Sequence, residues 1–172
     1  MDTFKITNIK QAVKNPERAN VFVDGKYEFS LDVTQLLDLK LKVGQEITLA
    51  QLSEYKKLSE YGKLYQRTLE WVLSRPRSEK ETSDYLYKKI YEKKLDKEYI
   101  GKIIEKLEKK KYLNDEAFAK WYVENRFVKK GISKKRVRYD DKLIQYLGRQ
   151  GFSYELAKDL VLASGTDSRN SE

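Results

Sequence analysis

The stretch "RPRSEKETSDYLYKKI", residues 75–90, decides how most of this chain folds. Pro76 disfavours helix at the residue before it, so a helix arriving from upstream ends near Arg75. Ser78, with Glu81 three residues later, has the spacing of a capping box, in which side chains satisfy the N–H groups that a first helical turn leaves open. Past the cap, Tyr85, Leu86, Lys89 and Ile90 fall on one side of a helix. A stop, a cap and a stripe in so short a run predict helices on both sides of a sharp joint.

Upstream, the same periodicity continues. Leu49, Leu52, Tyr55 and Leu58 open a helical region, and Tyr61, Leu64, Tyr65, Thr68, Leu69 and Val72 follow at spacings of 3-1-3-1-3. Before residue 49 the pattern changes to strands. "FKITNIKQAV" is followed by the turn-rich "KNPERAN" and then by "VFVDGKYEFSL". Asp24-Gly25 between two β-rich runs is a hairpin signal, since a type I′ turn needs positive φ at both central residues. Val21 and Val23 share one face, and Tyr27, Phe29 and Leu31 alternate behind the turn. Asp32 can cap a short helix that uses Val33, Leu36 and Leu37. "KVGQEIT" then closes the unit, with Gly44 in a turn before a last strand.

Downstream, only helices follow. Asp96 caps one bearing Tyr99, Ile100, Ile103, Ile104 and Leu107. Asn114 caps the next, with Asp115 and Glu116 in its first turn, where the helix dipole favours negative charge. Its stripe is Ala117, Phe118, Trp121 and Tyr122, extending toward Val128, and Gly131 stops it. Ser133 starts a helix that reaches about Leu147, and after "GRQGFS" Ser153 opens a last one through Ala163. Two groups of three helices echo each other, Ser78 matching Ser133 at an offset of 55 and Asp96 matching Ser153 at 57. The fold class expected is mainly α: tandem three-helix repeats behind a small β-rich domain. The divisions are 1–48 for that domain, 49–112 for a linking helix and first repeat, 113–163 for the second repeat, and 164–172 for a flexible tail.

Composition narrows the chemistry. The chain has 172 residues, with no cysteine and no histidine, which excludes disulfides, Cys/His zinc sites and imidazole catalysis. No apolar run approaches the ~20 residues of a membrane span, and no signal-peptide layout opens the chain, so a cytoplasmic protein is expected. No phosphate loop of the GxxxxGK[ST] or GxGxxG kind is present. "NDE" at 114–116 reads as a helix cap rather than an acid–base site. Asp140 and Asp141 are adjacent on a helix, so their side chains diverge. No enzyme, cofactor or metal is expected.

The net charge is +9 and is unevenly placed. Residues 1–48 hold seven Lys/Arg and seven Asp/Glu, so the whole excess lies beyond them. From Arg126 to Arg138 there are seven basic residues and no acidic one: Arg126, Lys129, Lys130, Lys134, Lys135, Arg136 and Arg138. The run straddles a helix end, a glycine turn and a helix start. Arg75 and Arg77 occupy the corresponding place in the first repeat, and Lys109, Lys110 and Lys111 add a second cluster. Such a run is either a solvated helix face or an edge that meets phosphates or acidic protein surface. Phe118, Trp121 and Tyr122 could stack bases, but their helical spacing reads as core.

"RPRSEKETSDYLYKKI" at 75–90, then "YLNDEAFAKWYVENR" at 112–126 followed by "KKGISKKRVR", resembles the RecX family of recombinase regulators. The opening "ITNIKQAVKNPERANVFVDGKYEFSLD" with "LKVGQEIT" is similar to the N-terminal extension of its Gram-positive members. The resemblance covers about residues 3–163. It implies tandem three-helix repeats and binding to the RecA filament on single-stranded DNA. It also implies inhibition of RecA's ATPase and strand exchange, a place in homologous recombination, DNA repair and the SOS response, and no catalysis by the chain itself. Members usually carry three helical repeats where two are read here, and Asp140-Asp141 stands where the pattern has an acidic residue followed by leucine. A monomer that touches its partners through Arg75, Arg77 and the run from Arg126 to Arg138 is the resulting expectation. The alternative is a nucleic-acid-binding helical module that acts without RecA.

Overall fold

A computed structural model describes residues 3–128 and 136–166, and the side chains of 3–125 and 141–163. The elements run β1 (Thr3–Ala12), β2 (Asn15–Val23), β3 (Lys26–Asp32), α1 (Val33–Asp38), β4 (Glu46–Thr48), α2 (Leu49–Leu73), α3 (Glu79–Lys93), α4 (Glu98–Lys109), α5 (Asp115–Val128), α6 (Arg136–Arg149) and α7 (Tyr154–Thr166). The fold is mainly α behind an N-terminal antiparallel sheet, as the patterning predicts. The chain divides into two compact units, 1–67 and 68–172.

In the first unit the strands lie in the order β3-β2-β1-β4. Asp24 (φ 48°) and Gly25 (φ 81°) both take the left-handed conformation that the hairpin turn demands. Ile6, Val21, Val23, Phe29, Leu31 and Ile47 form the core with Leu52 and Tyr55 of α2. The Phe29 and Tyr55 rings sit 5.7 Å apart. Asp32 caps α1 and, with Gln35, completes a reciprocal capping box.

Three expectations are corrected here. "KNPERAN" is not a loop: the chain turns at Val13-Lys14, and β2 begins at Asn15. Pro16 is accommodated because the register jumps between Gln11↔Ala19 and Ala12↔Asn15, a bulge that asks nothing of the missing N–H. Tyr27 does not share the core face with Phe29. An irregularity between Val21↔Phe29 and Phe22↔Tyr27 turns it over, leaving it 48% exposed, edge-on to Phe22. In α1, Leu36 packs on the core while Val33 and Leu37 face solvent.

The sheet core alone does not account for the first unit. Arg18 is 7% exposed, and its Nη2 donates to the Ser30 carbonyl at 2.5 Å and to Ser30 Oγ at 3.1 Å. The Ser30 N–H in turn donates to Ser59 Oγ of α2 at 3.1 Å. Gly62, one turn further on, leaves room for the guanidinium, since a Cβ there would lie 3.1 Å from Arg18 Nη1. Burial pulls the Arg18 pKa down, opposed by Asp32.

In the second unit α4 buries Ile100, Ile103, Ile104 and Leu107 on one stripe, as its spacing predicts. Asp96 Oδ1 accepts the Glu98 N–H, although Lys97 is the residue that flanks the helix. Asn114 Oδ1 accepts the Ala117 N–H and caps α5. The α5 stripe is rotated from the one predicted: Phe118, Ala119 and Val123 are buried, whereas Ala117 is exposed and Trp121 and Tyr122 are half-buried. Ala119 and Val123 pack with Leu143, Leu147, Ala157 and Val161 of α6 and α7. Gly151 (φ 96°) makes the turn between those two helices, and Ser153 Oγ accepts the Leu156 N–H. The expected stop at Gly131 and start at Ser133 lie outside the described residues.

Candidate interface at the joint between α2 and α3

The joint "RPRS" is held by side chains that arrive from four helices. Ser78 caps α3 by accepting the Glu81 N–H at 3.0 Å, as its spacing predicts. Its hydroxyl also donates to Gln150 Oε1 at 2.8 Å, and the Glu79 N–H donates to Asp115 Oδ1 at 2.7 Å. The other half of the expected capping box is replaced. The Glu81 carboxylate receives Arg75, with Nη1–Oε2 at 3.0 Å and Nη2–Oε1 at 3.1 Å, and the Tyr146 hydroxyl at 3.2 Å. Only the Nη2–Oε1 contact is a hydrogen bond, since Nη1 donates to the Pro76 carbonyl at 2.8 Å, but a charged donor still outcompetes a backbone N–H for a partly buried carboxylate.

Both arginines of the joint lie over tryptophans. The Arg77 guanidinium sits 3.8 Å from the Trp71 ring centre, and that of Arg75 sits 5.1 Å from Trp121. Trp71 stacks in turn on Tyr85 at 4.5 Å, and Tyr122 stacks on Tyr146 at 4.1 Å. Arg77 has 13% of its side chain exposed and Arg75 has 32%. Burial first, then neighbouring Arg75, pulls the Arg77 pKa down against the pull of Glu81. Burial first, then Glu81, pushes the Tyr146 hydroxyl up to about 12.

A groove opens beside this network, lined by Leu73, Arg75, Pro76, Lys111, Tyr112 and Ala117 among others. Basic groups from two separate parts of the sequence, Arg75 with Arg77 and Lys111, meet there. Leu73 and Tyr112 give the groove exposed apolar surface. Lys109, by contrast, is paired with Glu105 at 2.6 Å. The arrangement can receive a carboxylate or phosphate beside an apolar group. Among the described residues no cluster of acidic side chains could hold a metal ion.

Of the predicted contact residues, then, Arg75 and Arg77 both line the groove, and Arg77 also lies over Trp71. The side chains of Arg126, Lys129, Lys130, Lys134, Lys135, Arg136 and Arg138 lie outside the described residues. Trp71, Tyr146 and Gln150 belong to the joint and were not predicted. Trp71 carried a signal, a large aromatic beside the stripe residue Val72, four residues before Arg75. Phe118 is fully buried, the core role its spacing predicts.

The family model described as the regulatory protein RecX N-terminal domain matches residues 4–48. Over 118 residues the chain is 39% identical to the regulatory protein RecX of Bacillus subtilis (strain 168), taking in 69% of this chain and 43% of that protein. It is 37% identical over 118 residues to the regulatory protein RecX of Listeria welshimeri, taking in 69% of this chain and 42% of that protein. The chain thus spans less than half the length of these curated relatives. A solved structure described as a crystal structure of regulatory protein RecX resembles it with a TM-score of 0.66 at 26% identity, over 93% of this chain and 73% of that chain. Among the described residues, no helix is long and apolar enough to cross a membrane.

Proposed function

Since the chain belongs to the RecX family, we propose that it regulates RecA recombinase by binding the RecA filament on single-stranded DNA and inhibiting its ATPase and strand exchange. The observation that carries this reading is that both parts of the chain match. Residues 4–48 fit the family's N-terminal domain, and 93% of the chain follows the fold of a solved member. The protein acts by binding, as a monomer without cofactor, in the cytoplasm. Its positive excess lies wholly beyond residue 48, as a partner rich in phosphate or carboxylate requires. Arg126, Lys129, Lys130, Lys134, Lys135, Arg136 and Arg138 make the charged contact, and Arg75 supports it from the groove. Arg77, which also lines the groove, stands beside Arg75 there and holds Trp71.

The test is ATP hydrolysis by the cognate RecA on single-stranded DNA, with this protein titrated in at near-physiological salt. Suppression at well below one protein per RecA is expected, because a regulator that stops filament growth or promotes disassembly acts on many subunits. Unchanged hydrolysis, together with salt-sensitive binding to bare DNA, would overturn this reading in favour of the module that acts without RecA.

A further inference from the structure

The outer face of α3 holds two tyrosines that the fold does not use. Tyr87 and Tyr91 are 55% and 87% exposed, while Thr82, Leu86 and Ile90 are buried on the other side of the same helix. At i and i+4 the two rings are surface neighbours, with Cβ atoms about 5–6 Å apart. A ring so exposed contributes little to folding, and two in register make a platform.

The charge around the platform is one-signed in effect. Asp84, one turn before, is paired with Lys80 at 3.5 Å, and Glu92 is paired with Lys89 at 3.0 Å. Lys88 and Lys94, which flank the rings, make no ion pair within 4 Å among the described residues, although Lys88 shares with Lys89 in holding the Glu92 carboxylate ionised. Aromatic faces beside lysines that no carboxylate closely pairs match a strand of unpaired nucleotides, whose bases offer π faces and whose backbone offers one negative charge per step. A duplex keeps its base faces stacked inside and has only its phosphates to give.

We propose that this face of α3, Tyr87 and Tyr91 between Lys88 and Lys94, is a stacking platform for single-stranded nucleic acid. It does not rest on the regulation of RecA, since a chain that never meets a filament would still carry it.

The experiment uses the full chain without RecA, and measures fluorescence anisotropy with a labelled oligothymidylate and with a duplex of the same length. Tyr87→Ala/Tyr91→Ala weakens binding to the single strand by roughly tenfold or more and leaves the duplex nearly unchanged. Tyr87→Phe/Tyr91→Phe keeps most of the affinity, because the ring does the stacking. Lys88→Ala/Lys94→Ala lowers the salt slope by about 0.7 for each phosphate that no longer meets a lysine. Circular dichroism is unchanged in all three, as the side chains are exposed. The proposal is overturned if the alanine pair binds the single strand as wild type does, if single strand and duplex weaken equally, or if wild type binds no single strand. It is also overturned if the alanine pair keeps its DNA affinity and loses only its effect on RecA, since the face would then dock protein.

Discussion

Each unit of this protein places an arginine inside it, and the two are held by different means. Arg18 is held by the sheet: its donors go to the carbonyl and hydroxyl of Ser30, across the β2–β3 pair, in a space that Gly62 leaves open. Arg77 is held by side chains: the face of Trp71, the hydroxyl of Ser74 at 3.3 Å, and the Glu81 carboxylate at 3.8 Å. A cation tied to backbone survives most changes of neighbouring side chains. A cation tied to a ring and a carboxylate depends on those residues staying as they are. The sheet unit is therefore the more tolerant scaffold, and the helical joint the part whose function and stability share the same residues.

The largest test of that division is a pair of core truncations. Phe29→Ala in the sheet unit and Phe118→Ala in the helical unit each remove a buried ring, 1% and 0% exposed, and each is expected to cost about 3–5 kcal/mol. Amide hydrogen exchange, read unit by unit, should show weaker protection mainly on the side that was cut. An equal drop across both units for either variant would break the description of two compact units.

Next in size are the arginines themselves. Arg18→Ala leaves the Ser30 carbonyl and hydroxyl short of their buried donor and is expected to cost about 1–3 kcal/mol in urea unfolding. Arg77→Ala removes a cation from the Trp71 face and is expected to cost about 0.5–2 kcal/mol. Arg77→Lys should recover only part of that, because a compact ammonium does not stack as a planar guanidinium does. Full recovery by lysine would mean that charge alone holds the joint.

Much of this is open to reading in the residues, and what is hidden has physical causes. Asp24-Gly25 announces its turn because positive φ at two successive positions leaves few residue choices. Tyr27 escapes such a reading because a bulge has no compositional mark, yet it reverses every side chain beyond it. "KNPERAN" reads as a loop from its residues, but tertiary pairing of β2 with β1 draws Asn15 and Pro16 into the strand. At the joint, Ser78 is legible as a cap because its partner is three residues away. The destination of the Glu81 carboxylate is not, since Tyr146 lies 65 positions along the chain. Arg75 and Arg77 are legible as basic groups, and Trp71 stands only six positions before Arg77, but the Trp121 beneath Arg75 comes from α5, and only packing brings it there.

The smallest expected effect probes that long-range contact directly. Tyr146→Phe removes the hydroxyl that donates to Glu81 Oε1 at 3.2 Å and keeps the ring stacked 4.1 Å from Tyr122. The cost near neutral pH should be about 1 kcal/mol. The phenol titrates near about 12 in the fold against 10.0 ordinarily, raised by burial first and by Glu81 next. A raised tyrosine pKa means that the fold prefers the neutral phenol. Between pH 10 and about 12 the folded state therefore binds more protons at this site than the unfolded one. Its contribution is fully present below pH 10 and is lost as the pH rises through about 12. The informative quantity is the difference in unfolding free energy between wild type and Tyr146→Phe. That difference should shrink as the pH is raised from about 9 toward about 12. A difference that stays constant would mean that the hydroxyl ionises as readily in the fold as in the unfolded chain, so that neither its burial nor Glu81 disfavours the phenolate, while a difference near zero at neutral pH would mean that the hydrogen bond to Glu81 contributes nothing to the joint.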